Sequence, residues 1–434
     1  MRPVLRPARA CRLRCLLGAA LAAGSAGRSR AVEITPLYGL QVLGGQYFFA
    51  SEKGALSGNA AGHVAPAFKF GERLSLLPSL HSSYQGTKQV VDVVGTGSFF
   101  QEQMEHRLAA KVVWSPGGSQ WRLKPSMSFK YNLLKETKDE EWSSGLFDYY
   151  TWKGGLEAEY VYHDPFSFRV GADYFETKYP NYTSLESAAA FSQAGVALAR
   201  ELVGNQILDT RNVMGNLAID LPLFNRLAAE ASATMLYQSF YNQPIVDDAG
   251  QNTALKRQDF LTILALGIKM PYEMNRDLRV LGSFDGSVAY NTSNQNSYDA
   301  IRTFYTPLYY NYGEVRVGPS LRLYVGPTRK PVILGLSGQY WYRRYPKRRI
   351  QNSQGGYEGA SLQNNNWLAA TTLTYPMAPH FALHFNFQYG RATSNMRFDQ
   401  FYAYNYRLAG NFWPPSFVSN SGAGLRARPE VLGP

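Results

Sequence analysis

The stretch Asp259–Asn291, DFLTILALGIKMPYEMNRDLRVLGSFDGSVAYN, decides the fold. Its first half places Phe260, Thr262, Leu264, Leu266, Ile268 and Met270 at every second position. Its second half does the same with Leu278, Val280, Gly282, Phe284, Gly286, Val288 and Tyr290. The intervening positions of the second half are Arg279, Leu281, Ser283, Asp285, Ser287, Ala289 and Asn291. A strand sends successive side chains to opposite faces, so the stretch predicts a hairpin with one greasy and one mostly polar face, turning at Pro271–Asp277.

The same unit recurs along the 434 residues. The alternation predicts sixteen strands: Ile34–Phe49, Gly62–Phe70, Leu74–Thr87, Ser98–Trp114, Trp121–Leu134, Leu146–Tyr162, Phe166–Tyr179, Leu208–Leu221, Arg226–Tyr241, the two of the opening stretch, Tyr309–Val325, Val332–Tyr345, Asn366–Tyr375, Phe381–Gly390 and Phe401–Trp413. The first two strands and Leu146–Trp152 are weakly patterned, so the count ranges from fourteen to eighteen. Short turns such as Ser115-Pro116-Gly117-Gly118 alternate with longer polar connections. The connections expected to be loops include Ser51–Asn59, Asn242–Leu255, Thr292–Thr306 and Pro346–Asn364. In the connection Pro180–Gln206, the Ala-rich segment Leu185–Val203 is compatible with a helix capped by Ser184 and Gly204.

Aromatic residues make up 14% of the chain, with 30 Tyr and 24 Phe, while charged residues are only 18%. That is below the roughly 25% charge of soluble domains and suits strands with one lipid face and one wet face. Composition alone fits a soluble array of β-sandwiches equally well. The first residues separate the two. Arg2, Arg6, Arg9, Arg12 and Arg14 precede the apolar run Cys15–Ala23 and the small residues Gly24-Ser25-Ala26. This predicts a secretory signal over residues 1–26, with a second candidate cut after Ala31. The only two cysteines, Cys11 and Cys15, lie inside it. An exported chain without disulfides must close its fold by hydrogen bonds and packing.

No later stretch supplies the ~20 apolar residues of a membrane helix. The expected organisation is therefore a signal (1–26), an all-β transmembrane barrel (32–413) and a Pro/Gly/Ser-rich tail (414–434). In lipid every backbone polar group needs an internal partner, and a closed antiparallel up-and-down sheet provides it. An even strand count lets the first and last strands pair. Tyr402, Tyr404, Tyr406, Leu408, Gly410 and Phe412 share one face of the last strand. With the signal and the hairpins, this strand resembles the aromatic-ended terminal strand of bacterial outer-membrane β-barrels of porin-like size. The resemblance implies short periplasmic turns, longer outer loops and recognition by the barrel-assembly machinery. Family members end on the terminal aromatic, whereas this chain continues through Pro414–Pro434.

The face opposite the aromatics is expected to line the lumen. It carries Lys69, Arg107, Lys111, Arg122, Lys124, Lys130, Arg169, Lys269, Arg279, Arg316, Arg322, Arg343 and Arg407. It also carries Glu105, Glu157, Glu159, Asp173, Asp220, Glu230, Asp285 and Glu314. Such a wall either favours anionic solutes by focusing its field or consists of cross-strand pairs that stiffen it. The formal charge of +12 falls to +7 once the five arginines of residues 1–26 are removed. Arg344, Lys347, Arg348 and Arg349 follow Arg343 in a basic run that either grips lipopolysaccharide phosphates or is a solvated rim. The connection Pro180–Gln206 either folds inward to narrow the pore or stays outside.

His81 and Ser83 share a face that this register turns inward, with no third partner for nucleophilic catalysis. The other histidines lack metal-ligand spacing, no phosphate-cradling glycine loop is present, and no nucleic-acid motif is found. No enzyme activity and no cofactor are expected. The leading expectation is an outer-membrane channel passing small polar, preferentially anionic solutes. The alternative is a plugged barrel that binds a partner or the lipopolysaccharide layer and transports nothing.

Overall fold

The computed structural model describes residues 32–49, 55–86, 90–91, 98–99, 102–117, 119–135, 140–163, 166–182, 191–193, 196–198, 206–224, 227–299, 302–328, 330–352, 354–378, 381–396 and 401–412. The expected signal, the tail and most of the connection 183–205 lie outside them. Among the described residues the chain is all-β. One antiparallel up-and-down sheet holds eighteen strands. Two of these continue their predecessors across Pro36-Leu37 and Ala65-Pro66, which leaves sixteen staves.

In chain order the staves are β1 (Glu33–Thr35 and Tyr38–Phe49), β2 (Ala55–Val64 and Ala67–Phe70), β3 (Leu74–Gln85) and β4 (Glu102–Trp114). They continue with β5 (Trp121–Lys135), β6 (Tyr149–His163), β7 (Phe166–Lys178), β8 (Thr210–Phe224), β9 (Leu227–Val246) and β10 (Asn252–Asn275). The last six are β11 (Leu278–Ser293), β12 (Tyr312–Val325), β13 (Val332–Gln351), β14 (Tyr357–Ala378), β15 (Phe381–Ser394) and β16 (Phe401–Phe412). Each stave pairs with the next, as in β10–β11, where Leu264 faces Val288 and Gly267 faces Asp285. The last stave also pairs with the first, from Leu40 opposite Phe412 to Phe49 opposite Ala403.

The two-residue alternation becomes two chemically distinct faces. Leu108, Met127, Phe129, Leu156, Met235, Leu264, Phe284, Val288 and Trp367 are exposed on one of them. Aromatic pairs lie on it, including Trp121 with Tyr160 at 5.1 Å and Tyr340 with Trp367 at 4.3 Å between centroids. Among the described residues, forty-seven large hydrophobic side chains are exposed and only eleven hydrophobic residues are buried. The usual distribution of a water-soluble domain is thereby inverted.

Several expected boundaries move. The turn of the opening hairpin is Arg276-Asp277, not Pro271–Asp277, because β10 runs to Asn275 with Pro271 opposite Leu281. Among the described residues β9 pairs β10 only as far as Lys269, so β10 has a ladder on one side only at Pro271, an edge position where proline is tolerated. The expected loops Ser51–Asn59, Asn242–Leu255 and Pro346–Asn364 are partly strand, since β2 begins at Ala55, β9 and β10 reach Val246 and Asn252, and β13 and β14 reach Gln351 and Tyr357. In the latter two, polar residues on both faces erase the alternation, and in the first, small residues such as Ala55, Ser57 and Gly58 do so. Gly355, at φ +77°, lies in the connection that closes the β13–β14 hairpin.

Thr292–Thr306 contains a hairpin of its own, Ser297–Asp299 with Phe304–Thr306. Ser98–Phe99 belongs to a separate hairpin with Val90–Val91 rather than to β4. The helix-compatible segment is not helical where it is described: Phe191–Gln193 pairs antiparallel with Val196–Leu198. Phenylalanine and valine favour the extended state, and a cross-hairpin ladder satisfies the backbone as a helix would.

Candidate functional site: the polar face

The register brings the charged residues of neighbouring staves together on the face opposite the hydrophobic one. Glu157 is opposite Lys124, and Glu159 is opposite Arg122. Lys124 Nζ lies 2.6 Å from Glu157 and 3.2 Å from Glu159, and Arg122 lies 3.4 Å from Glu159. Lys130 reaches Glu105 at 2.8 Å, and Lys153 reaches Asp173 at 2.8 Å. Arg169 holds Asp220 at 3.1 Å and Glu230 at 3.0 Å. Glu314, nearly buried, pairs with Arg316 and with Arg343, the latter at 2.6 Å. Lys69 approaches Glu33 at 3.9 Å.

A few charges stay outside this lattice. Among the described residues, Arg107, Lys111, Lys269, Arg279, Arg322 and Asp285 have no oppositely charged atom within 4 Å. Arg279 sits over the Tyr324 ring at 5.7 Å and faces Glu273 in register. The side chain of Arg407 lies outside the described ones; its backbone is opposite Asn386. Of the acids predicted on this face, all but Asp285 have an ion-pair partner among the described residues, whereas five of the cations have none. A cavity of about 380 Å³ lies in the middle of the wall formed by β9 to β13. Glu230, Lys269, Asp285, Ser287, Arg316 and Gln339 line it.

The basic run is placed on strand rather than loop. Arg344 pairs with Gln363 in register, and its Nε is 3.4 Å from Ser361 Oγ. Arg348 lies over Tyr309 at 4.7 Å and over Tyr345 at 5.6 Å, and Arg349 lies over Phe304 at 5.6 Å. Lys347 and Arg349 are exposed.

Sequence reasoning missed the polar residues above the alternating part of the sheet. Arg257 binds Asp259 through Nε at 3.0 Å and Nη2 at 2.6 Å, with Phe240 and Tyr310 at 4.4 and 3.9 Å from its guanidinium. Parity held the signal: Arg257 and Asp259 share the odd-numbered face of Lys269. It also missed a serine–histidine contact. Ser82 Oγ lies 2.9 Å from His106 Nδ1 on the hydrophobic face, opposite to that of His81 and Ser83. Among the described residues no carboxylate accompanies this contact.

One carboxylate at a connection is held away from water. Asp148 accepts the Leu134 N–H at 2.7 Å and is fully buried, with Oδ2 unpartnered among the described residues. Burial pushes its carboxyl above the usual range, and Glu140 adds to the shift; backbone N–H groups oppose it.

No protein-family model matches the chain, and no curated protein matches it. Solved structures do match. A loop L8 deletion mutant of OmpT, an outer membrane protein of Vibrio cholerae, is 11% identical, with a TM-score of 0.45, over 88% of this chain and all of its own. The outer membrane protein opdK from Pseudomonas aeruginosa is 8% identical, TM-score 0.44, covering 87% and 99%. Acinetobacter baumannii OccAB4 is 9% identical, TM-score 0.44, covering 88% and 98%. The solved structures that this chain resembles are bacterial outer-membrane β-barrels.

Proposed function

We propose that the chain is exported through its N-terminal signal and spans the bacterial outer membrane as a closed sixteen-stave barrel. In this reading it is a channel for small polar solutes, with a preference for anions. The observation that carries the membrane reading is the inverted distribution of hydrophobic side chains. Forty-seven large exposed hydrophobics among the described residues far exceed the apolar patches that soluble monomers tolerate. The β1–β16 pairing supports closure, because it leaves neither terminal stave with a bare edge.

The height of the greasy band fits as well. Tyr272 and Thr262, the partner of Tyr290, are about ten residues apart on β10. At ~3.4 Å per residue and a tilt of ~40° this gives roughly 25 Å, the apolar band of an outer-membrane barrel.

The polar face then lines the lumen. Its ion pairs keep most charges silent, and the anion preference rests on Arg107, Lys111, Lys269, Arg279 and Arg322. Arg344, Lys347 and Arg349 are offered to lipopolysaccharide phosphates at the outer rim. The aromatic pattern of β16 is offered to the barrel-assembly machinery. The process is size exclusion with electrostatic filtering, without a covalent step or cofactor.

The density of cross-strand ion pairs favours a second reading, in which the lumen is stiffened and plugged. Planar-bilayer recording separates the two. Discrete conductance steps with a reversal potential on the anion side of a salt gradient are expected. Silence from protein whose gel migration shifts on boiling would replace the channel by the plugged barrel.

A further inference from the structure

A second cavity, of about 290 Å³, lies above the first on the wall of β9 to β13, toward the longer connections. It has room for one small ring, at the low end of the ~300–1,000 Å³ of ligand pockets. We propose that it is a binding site for a neutral monosaccharide. The proposal rests on the channel reading, in which this wall is wet and open to solutes.

The charges facing this cavity are held in ion pairs. Arg257 is paired with Asp259, and Arg343 shares Glu314 with Arg316. Arg316, the third member of the latter set, faces the lower cavity. The set keeps one net positive charge, which Arg316 shares with the lower cavity, and the field at this cavity is that of paired charges. What remains is a dense set of fixed donors and acceptors. Arg257 spends Nε and Nη2 on Asp259 and turns Nη1 toward Gln243 at 3.4 Å. Arg343 spends Nε on Glu314, pairs Nη2 with it, and donates from Nη1 to the Tyr345 hydroxyl at 3.2 Å. A guanidinium has five N–H groups, so each retains about two for a ligand.

Both guanidiniums are held rigid. Arg257 lies over both Phe240 and Tyr310, and Arg343 lies over Tyr312 at 4.2 Å. Asp259 is only 7% exposed and Asn291 8%, and Asn291 is tied to the Tyr310 carbonyl. The Gln238 amide also lines the cavity and has no hydrogen-bond partner among the described residues.

A sugar hydroxyl is at once donor and acceptor. Vicinal hydroxyls match a wall where an arginine N–H and a carboxylate oxygen stand side by side. The ring's C–H faces match Leu236, Leu261 and the tyrosine edges. An anion would gain the spare N–H groups but meet Asp259; a zwitterion would find no uncompensated carboxylate.

The test is saturation-transfer NMR on the full chain folded in detergent, with methyl α-D-glucoside, glucuronate and L-alanine as probes. Saturable transfer to the glucoside, stronger than to the other two, is expected. Gln238→Ala and Tyr345→Phe each remove a neutral hydrogen-bonding group and should weaken it about three- to tenfold. Gln339→Ala, in the lower cavity, should leave it unchanged. Absence of saturable transfer from folded protein overturns the proposal, as does tighter binding of glucuronate or alanine, or equal losses in all three variants. Binding in detergent needs no open pore. Glucoside binding by a chain that is silent in bilayers would thus keep the site and remove the channel.

Discussion

Arg169 and Glu230 are joined by a 3.0 Å ion pair although β8 runs between the staves that carry them. The same guanidinium nitrogen holds Asp220, which stands directly opposite Glu230 in the β8–β9 register. Two carboxylates facing each other across a ladder repel, and the arginine cancels that repulsion. Arg169→Met keeps much of the stem and removes the cation. It should lower stability by about 1 kcal/mol, since the set is partly exposed. Urea titration, followed by the fraction of heat-shiftable band, measures the loss. Added salt should recover part of it by screening. A variant as stable as the parent would mean that the carboxylates are already independent of each other.

Closure of the sheet is directly testable. Gln41 and Asn411 are register partners of β1 and β16. Directly opposed antiparallel residues have Cα atoms roughly 4.5–5.5 Å apart, within disulfide reach. In a chain with Cys11→Ser and Cys15→Ser, Gln41→Cys with Asn411→Cys should form an intramolecular bridge on mild oxidation. Its formation would be read by mass spectrometry. A pair displaced by several residues, such as Gln41→Cys with Asn405→Cys, should not bridge. Equal yields from the two pairs would rule out this register.

Selectivity should follow the cations that lack ionic partners. Replacing Lys269, Arg279 and Arg322 together by Gln should move the reversal potential toward cations. Asp285→Asn should move it toward anions. Both shifts should shrink as salt rises from 0.1 to 1 M, where the Debye length falls from ~10 to ~3 Å. A reversal potential that ignores all four substitutions would place these side chains away from the ion path.

Asp148 gives a pH dependence with a defined sign. Its carboxyl is raised above the ordinary range by burial, so the folded chain favours the protonated form. The stability this contributes is fully present below the unfolded value of ~3.9 and is lost as pH rises through the raised value. Asp148→Asn keeps an acceptor for the Leu134 N–H and carries no charge. At pH 7 it should slow hydrogen exchange at Leu134 relative to the parent, and the difference should vanish in acid. Asp148→Ala removes the acceptor and should cost about 1–3 kcal/mol locally. Gly145→Ala should disturb the same connection, because a Cβ there collides with the Leu134 carbonyl.

The alternation in Phe260–Met270 and Leu278–Tyr290 was readable because a strand's period is two and one face is hydrophobic. It assigned Arg107, Lys130 and Arg169 to one face, the polar one, without knowledge of any partner. The pattern fades in Asn242–Leu255 and Pro346–Asn364, where both faces are polar, so the strands there went unread. Arg257 shows the cost: its parity was visible, but its contacts with Phe240 and Tyr310 come from different staves.

The sequence by itself determined the strand period, the sidedness and the near-complete set of staves, because these depend on local geometry and on which side chains avoid water. Register and neighbourhood were decided only by the tertiary structure. Whether a cation is silenced, as Lys124 is by Glu157, or left without an ionic partner, as Lys269 is, depends on which residue the adjoining stave slides opposite it. That offset is fixed cooperatively by all the ladders together.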